Sequence, residues 1–385
     1  MKIAFLAKSH FESSIRLVKH LAEQTALEFM FIVAGDSHRE SCFDFDLRKL
    51  PLGYIDDQST IRRLTGKKYE EYLLNCTKVS MYRLESWSIM SGRNLRLALG
   101  LARKLRSGGF DLLHFNGTVG MLQPLYFFLT PEIPKVQTIH DSTPHSGEWN
   151  IRKIILKSFL VRRSDLIILC SDYCRKDLER AFDLSKKSIA VIPFGPLPMG
   201  QVGSFSEQDA RILFWGRISR YKGLEYLLQA FPRVKEKVPE AELFIAGAGK
   251  FHFPTEDYLS HGVKIINRYI PDEELHELVE KSAIVVVPYT DATQSGVVMV
   301  AFTHGKPVVA SEVGGIPEMV RHEETGLLVP PKDPEALSNA IKKLLEDAEL
   351  RNKMKSNIAS MLSCEFSWDS QAKRLLRYYR ELIRK

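Results

Sequence analysis

Short apolar runs alternate with helix-length amphipathic segments along most of this chain, and that rhythm restarts after a break rich in Pro, Gly and Ser. An apolar run of four to eight residues followed by a helix is the signature of a βαβ unit. Repeated, such units build a parallel sheet with helices on both faces. In the first half the strands are predicted near Ile3–Ala7, Phe29–Ala34, Leu112–Phe115, Lys135–Ile139, Leu166–Cys170 and Ala190–Pro193. Predicted helices fall near Ser13–Glu23, Leu95–Arg106, Ile151–Val161 and Asp172–Ala181. The break PFGPLPMGQVGSFSEQD, Pro193–Asp209, reads as a linker. Beyond it, strands are predicted near Ile212–Trp215, Glu242–Ala246, Val263–Ile266, Ile284–Val287 and Pro307–Ala310, with a last helix at Ser367–Arg384.

The expected architecture is therefore α/β, with two Rossmann-like, doubly wound parallel-sheet domains facing a cleft. Residues 1–198 form the first domain, 199–208 the linker and 209–366 the second, with the helix 367–385 packing back on the first. A chain of 385 residues agrees with two cores rather than one. In open parallel sheets ligands bind at the carboxyl ends of strands, so the active site is expected between the two sheets. Residues Phe43–Arg93 fit the rhythm poorly and carry paired charges, and they read as helical and loop insertions.

No apolar run reaches the roughly 18 residues that span a bilayer, and the opening MKIAFLAKSH reads as a buried strand rather than a signal peptide. A cytoplasmic location follows as the expectation. The five cysteines (Cys42, Cys76, Cys170, Cys174, Cys364) are scattered and read as reduced thiols. Charge is uneven. Residues 1–198 hold 29 Lys+Arg against 21 Asp+Glu, whereas 199–385 hold 25 against 26. A basic first half suits an anionic partner, for which nucleic acid, anionic lipid and an acidic acceptor all qualify, or is a solvated face with a modest excess. Arg62, Arg63, Lys67 and Lys68, with Leu64 and Tyr69, are the candidate surface contacts.

Three segments carry chemistry. In ILFWGRISRYKGLEYLLQAF, Ile212–Phe231, a buried strand ends at Gly216 and a helix opens near Gly223. Arg217 and Lys222 sit in the turn between, where two cations beside a helix N-terminus form a diphosphate clamp. In DATQSGVVMVAFTHGKPVVAS, Asp291–Ser311, a polar loop leads to Ser295-Gly296 at a helix start, whose N–H groups suit phosphate oxygens. In EVGGIPEMVRHEETGLLVPPKDPEAL, Glu312–Leu337, Gly314-Gly315 permit a tight turn before a short helix and a Gly-Leu-Leu-Val strand. Exposed loop cations and a strand-end histidine also occur without function, and that plainer reading stands beside each assignment.

In order and spacing, these segments, with VIPFGP and the terminal FSWDSQAKRLLRYYREL, resemble the retaining glycosyltransferases of family 4, also called group 1 glycosyl transferases, of GT-B fold. The resemblance implies a hexosyltransferase-type enzyme that moves a sugar from a nucleotide-diphosphate donor, UDP-sugar by family habit, to a saccharide or lipid-linked acceptor. It implies retention of configuration, no metal and no bound cofactor. Arg217 and Lys222 match the diphosphate-contacting pair. Gly216, Tyr269, Ile270, Gln294, Ser295, Gly296 and Val297 complete the donor site. His140, in QTIHDSTPH, matches the strand-end histidine that meets the donor sugar. Asp141 beside it, with Ser9 and His10 after the first strand, falls on the acceptor side. Nucleic acid is not an expected partner.

Three departures from the family pattern matter. Where the family has Glu-x7-Glu, this chain has Ala292 and Val300, and the N-terminal Gly-Gly loop is replaced by Lys8, Ser9, His10 and Phe11. Arg268 also stands where glycine is common. A nucleotide-sugar epimerase of the same fold, and a non-catalytic nucleotide-sugar-binding subunit, remain as alternatives. Asp44-Phe45-Asp46 copies the Asp-x-Asp of metal-dependent transferases of another fold and is set aside, as is GAGK, Gly247–Lys250, which lacks phosphate-loop spacing.

Overall fold

The computed structural model describes residues 1–8, 11–34, 47–61, 78–88, 91–142, 150–255 and 262–384. Ser9, His10, Asp44-Phe45-Asp46, Cys42, Cys76 and the candidate contacts Arg62–Tyr69 lie outside them, so the expectations placed there go no further.

Two sheets organise the chain. The first, eight-stranded among the described residues, runs in the order β3-β4-β2-β1-β5-β6-β7-β8. Its strands are β1 (Lys2–Ala7), β2 (Ala26–Ala34), β3 (Gly53–Ile55), β4 (Lys78–Leu84), β5 (Leu112–Asn116), β6 (Lys135–Ile139), β7 (Leu166–Leu169) and β8 (Ser188–Val191). All neighbours pair parallel except β3 with β4. The second sheet is six-stranded and parallel in every pair: β11 (Val263–Ile266), β10 (Glu242–Ala246), β9 (Gln208–Trp215), β12 (Ser282–Val287), β13 (Val308–Ser311) and β14 (Gly326–Val329), in that order.

Parallel strands covered on both faces read as continuous apolar runs. The run SAIVVV of β12 is buried at every position. Helices supply the cover. In the first half these are α1 (Phe11–Ala22), α2 (Gly92–Ser107), α3 (Gln123–Leu129), α4 (Ile151–Arg163) and α5 (Asp172–Ala181). In the second they are α6 (Leu224–Lys235), α7 (Asp272–Glu280), α8 (Gly296–Thr303), α9 (Pro334–Glu346) and α10 (Ala348–Cys364).

The last helix, α11 (Trp368–Arg384), leaves the second half and packs on α1. Trp368, Ala372, Leu375, Leu376 and Tyr379 join the first-half core, and Trp368 Nε1 donates to Pro196 O at 2.8 Å. Burying such side chains stabilises by about 1.5–3 kcal/mol each, enough to fasten the helix across the linker. The segment from 43 to 93, expected to be insertions, contributes β3 and β4 to the sheet. Tyr54 and Ser80 hold the buried Glu28 carboxylate there at 2.8 and 2.9 Å.

Candidate active site

The ends of β9 and β12 are fused into one cradle. Past Trp215 the chain turns at Gly216, which has φ +123°, and passes the exposed Arg217 into the 3-10 turn Arg220–Lys222. Gly223 closes that turn at φ +63°, and a Cβ there would stand 1.9 Å from Pro288 O. Only glycine admits both the left-handed backbone and that approach. Thr290 N–H then donates to Tyr221 O at 2.8 Å, joining the two loops.

The Lys222 ammonium lies over the Tyr289 ring at 3.6 Å and the Tyr221 ring at 4.9 Å. Burial lowers its pKa to about 8; Tyr221 opposes the shift, Arg217 adds to it, and Asp141 opposes it. Lys222 therefore stands within electrostatic reach of Arg217 in its own half and of Asp141 in the other.

Ser295 caps α8, its Oγ accepting from Val298 N at 3.4 Å. Ser295 satisfies one donor of the first turn, and the helix start still offers N–H groups and its dipole to an anion. Nothing stands within 4 Å of a Cβ built on Gly296, whereas one on Gly216 would touch Val297 Cγ2 at 3.8 Å. The clamp loop and the anion-ready helix thus adjoin, with open space at Gly296.

Asn267 extends the same rim, exchanging two 3.1 Å hydrogen bonds with the backbone of Gly249, which itself bridges to Ile218. GAGK is therefore the loop after β10, built into this rim. Tyr269 follows, half exposed, with Ile270 packed on the core. Arg268 is drawn aside by Glu274, at 2.7 and 2.8 Å. Ala292 and Val300 are both buried. A Cβ on Gly314 would lie 1.5 Å from Ala292 O, so the backbone of the third motif closes over Ala292.

In the facing half, His140 directly follows β6 and its side chain is buried. Its Nε2–H donates to Asn116 Oδ1 at 3.0 Å, and Asn116 in turn donates to Ser14 Oγ at 2.7 Å. Its Nδ1 lies 3.6 Å from Cys170 Sγ, and burial pushes that thiol up, keeping it protonated and a donor. Phe194 stacks on the ring at 5.7 Å. These neighbours hold one tautomer and one orientation.

Contacts also cross between the halves. Thr293 Oγ1 donates to Asp141 Oδ1 at 2.6 Å, Ser171 Oγ donates to Thr293 O at 3.2 Å, and Gln294 Nε2 reaches His140 O at 3.5 Å. The Glu318 carboxylate accepts from Asp172 N and Tyr173 N at 2.7 and 2.6 Å. Asn116, Cys170, Phe194, Thr293 and Glu318 escaped the sequence reading. A polar residue at the end of the buried run LLHFN was the available signal for Asn116; the partners of Glu318 lie 145 and 146 residues away and left none.

One cluster could be mistaken for a metal centre: His276, Glu280 and His304, all buried, with donor atoms within 4.8 Å of one another. Its hydrogen bonds argue otherwise. Met199 N–H donates to His304 Nε2 at 3.2 Å, so the proton sits on Nδ1 and is given to Glu280 Oε1 at 2.5 Å. A metal on Nδ1 would leave two N–H groups facing each other at Met199. Glu280 also accepts from Gly203 N and His276 meets Ser204 Oγ, so the cluster pins the linker.

The sequence matches two family descriptions: Glycosyltransferase Family 4 over residues 66–195, and Glycosyl transferases group 1 over 209–347. This chain belongs to glycosyltransferase family 4. An uncharacterised glycosyltransferase of Methanocaldococcus jannaschii is 31% identical over 179 residues, 45% of each chain. The D-inositol 3-phosphate glycosyltransferase of Corynebacterium diphtheriae is 29% identical over 304 residues, 70% of each chain. Among solved structures, Anabaena HepE in complex with UDP superposes with a TM-score of 0.69 at 18% identity, over 99% of this chain and 100% of that one. Sucrose-phosphate synthase from Thermosynechococcus elongatus gives 0.69 at 19% identity over the whole of both chains. The fold is GT-B, and in this family-4 chain the cradle and His140 lie at strand ends of its two sheets.

Proposed function

We propose that this glycosyltransferase moves a sugar from a UDP-type donor to a saccharide or lipid-linked acceptor, with retention and without a metal. Donor binding is assigned to residues 209–366 and acceptor binding to 1–198. The observation that carries the reading is the fused cradle, in which Arg217 and Lys222 adjoin the open N-terminus of α8. Fixed cations and helix N–H groups stabilise the diphosphate charge that grows as the sugar–phosphate bond breaks. Tyr269 and Ile270 flank the base, Gln294 and His140 O sit at the sugar, and the leaving phosphate takes the acceptor's proton. Asp141 is assigned to the acceptor side.

The UDP-bound state of HepE supports the choice of base. Calorimetric titration with UDP, GDP and ADP tests it. Micromolar UDP binding, lost in Arg217→Ala and Lys222→Ala, supports the reading, and no binding of any nucleotide sinks it. The buried, carboxylate-free positions Ala292 and Val300 favour one second reading, a subunit that binds donor without turnover. UDP binding with no transfer across an acceptor panel would select that one.

An anionic membrane surface fits the acceptor half. Helix α4 carries Arg152, Lys153, Lys157, Arg162 and Arg163 and no acid. Beside these cations Ile151, Ile155 and Phe128 are 66%, 63% and 56% exposed. Lys157 Nζ donates to Ser142 O at 2.7 Å, tying this helix to the strand end at His140. Cations flanking exposed apolar side chains suit an anionic bilayer surface. Among the described residues no helix is long and apolar enough to cross a membrane. Flotation with phosphatidylglycerol vesicles but not phosphatidylcholine vesicles is the expected result, and equal flotation with both removes the assignment.

A further inference from the structure

The Glu318 carboxylate is an odd partner for α5. That helix already has a local cap, since Ser171 Oγ accepts from Cys174 N at 3.2 Å. Glu318 arrives from the other half of the molecule and takes two further first-turn donors, Asp172 N and Tyr173 N. A second cap adds little to forming the helix but ties it to whatever carries the carboxylate. Paired, charge-assisted bonds at a helix N-terminus are among the stronger polar contacts available.

What carries the carboxylate is rigid and continuous with the cradle. Glu318 ends the 3-10 turn Ile316–Glu318, directly after Gly314 and Gly315. Gly315 N–H donates to Ala292 O at 3.2 Å, and a Cβ on Gly315 would stand 2.2 Å from Thr293 O. Ala292 and Thr293 lead straight into Gln294 and the α8 start. Of these two, Thr293 meets both Ser171 and Asp141 of the first half. Glu318 is itself exposed, so the carboxylate can return to water without becoming a buried, unpaired charge. Beside it lies a cavity of about 340 Å³ between the halves, lined by Asp172, Gln294, Glu318, Phe194 and Arg374 among others.

We propose that Glu318 is a releasable latch: its bonds to the Asp172 and Tyr173 amides hold the cleft shut and bring the donor loop 292–296 against His140 and Asp141. It is a positioning residue, and its catalytic consequence rests on the function proposed above; the latch itself does not.

Two variants test it from opposite sides. Glu318→Ala removes the acceptor. Asp172→Pro removes one donor at the first helical position, where proline is tolerated, after a Ser171 whose φ −154° and ψ 157° suit a residue before proline. Hydrogen exchange is read on the ligand-free, full-length protein, with small-angle scattering alongside. In Glu318→Ala the Asp172 and Tyr173 amides should exchange roughly tenfold faster or more, the factor that one or two charge-assisted bonds carry. The radius of gyration should rise in both variants, while exchange within β12 and α8 stays at the wild-type rate, which a general loss of fold would not allow. Glu318→Gln, able to accept but uncharged, should fall between. Unchanged exchange at 172–173 with an unchanged radius overturns the latch. Faster exchange throughout the second sheet overturns it too, because Glu318 would then be structural. If wild type binds no UDP, the proposed function fails while these readouts still judge the latch.

Discussion

The two strand-end regions of the cleft are built from different parts of the chain. In the second half the cradle is backbone on backbone: Gly223 against Pro288 O, Gly247 against Gly216 O, Gly314 against Ala292 O. In the first half the strand end at His140 is a relay of side chains, His140 to Asn116 to Ser14, closed by Cys170 and Phe194. A phosphate-binding surface gains from donors that cannot rotate, because preorganised dipoles need no rearrangement as charge develops. A histidine in a relay can be retuned by one substitution. The first kind of site should therefore break by losing stability, the second by losing turnover.

The largest effect should come from Gly314→Ala. Its φ of +54° disfavours any side chain, and the new Cβ would lie 1.5 Å from Ala292 O. Backbone cannot give way as a side-chain tip can, so a loss of about 3 kcal/mol or more is expected, measured by urea unfolding. Gly296→Ala is the control, with nothing within 4 Å of the new methyl. It should unfold like wild type and bind UDP more weakly. Equal stability of the two variants would refute the contrast.

Next is Lys222→Ala, expected to weaken UDP by about ten- to a hundredfold, the range for a lost charged hydrogen bond. In the free protein Lys222 has a pKa of about 8, below its unfolded value. It is charged below that pH and neutral above, so UDP affinity should fall as pH rises through 8, with proton uptake on binding. Stability moves the other way: between pH 8 and the unfolded pKa the unfolded chain binds more protons, so this residue's contribution to folding rises with pH. Calorimetry in buffers of different ionisation enthalpy reads the uptake. Affinity flat from pH 7 to 9 would remove Lys222 from the clamp.

How much of this was legible follows the same division. The second-half strands are short apolar runs, with glycine directly after β9 and β10, so both rhythm and motif pointed to Arg217, Lys222 and Ser295 before any geometry. The expected helix start at Ser295-Gly296 is where α8 begins, and β9 ends directly before Gly216. In the first half β4, KVSMYRL, carries Ser80 and Arg83 inward and follows a charged stretch, which masked it as a strand. The helix α3 was hidden by Pro124, which in fact stands in its first turn, where the missing N–H costs nothing. The partners of His140 lie at the ends of other strands, 24 residues away at Asn116 and 30 at Cys170. Local pattern carries no record of such pairs, because tertiary packing alone brings them together.

Asn116→Ala probes that relay. It leaves the cradle alone, so UDP affinity should hold while sugar transfer falls about tenfold, the worth of one orienting hydrogen bond. A matching fall in UDP affinity would mean that the relay supports the fold of the cleft rather than the orientation of His140.

The smallest change expected is in Ser295→Ala, and it bears on the comparison most directly because a side chain here serves the backbone cradle. Ser295 Oγ caps α8 through Val298 N. Losing an N-cap costs about 1 kcal/mol, and urea unfolding should show that much and little more. The N–H groups at Gly296 and Val297 would remain in place if the glycine-locked loops hold the helix start by themselves. UDP affinity should then fall only severalfold, well short of the loss in Lys222→Ala. A loss as large as that one would show that the helix start depends on its cap, and that the donor cradle rests on side chains much as the His140 relay does.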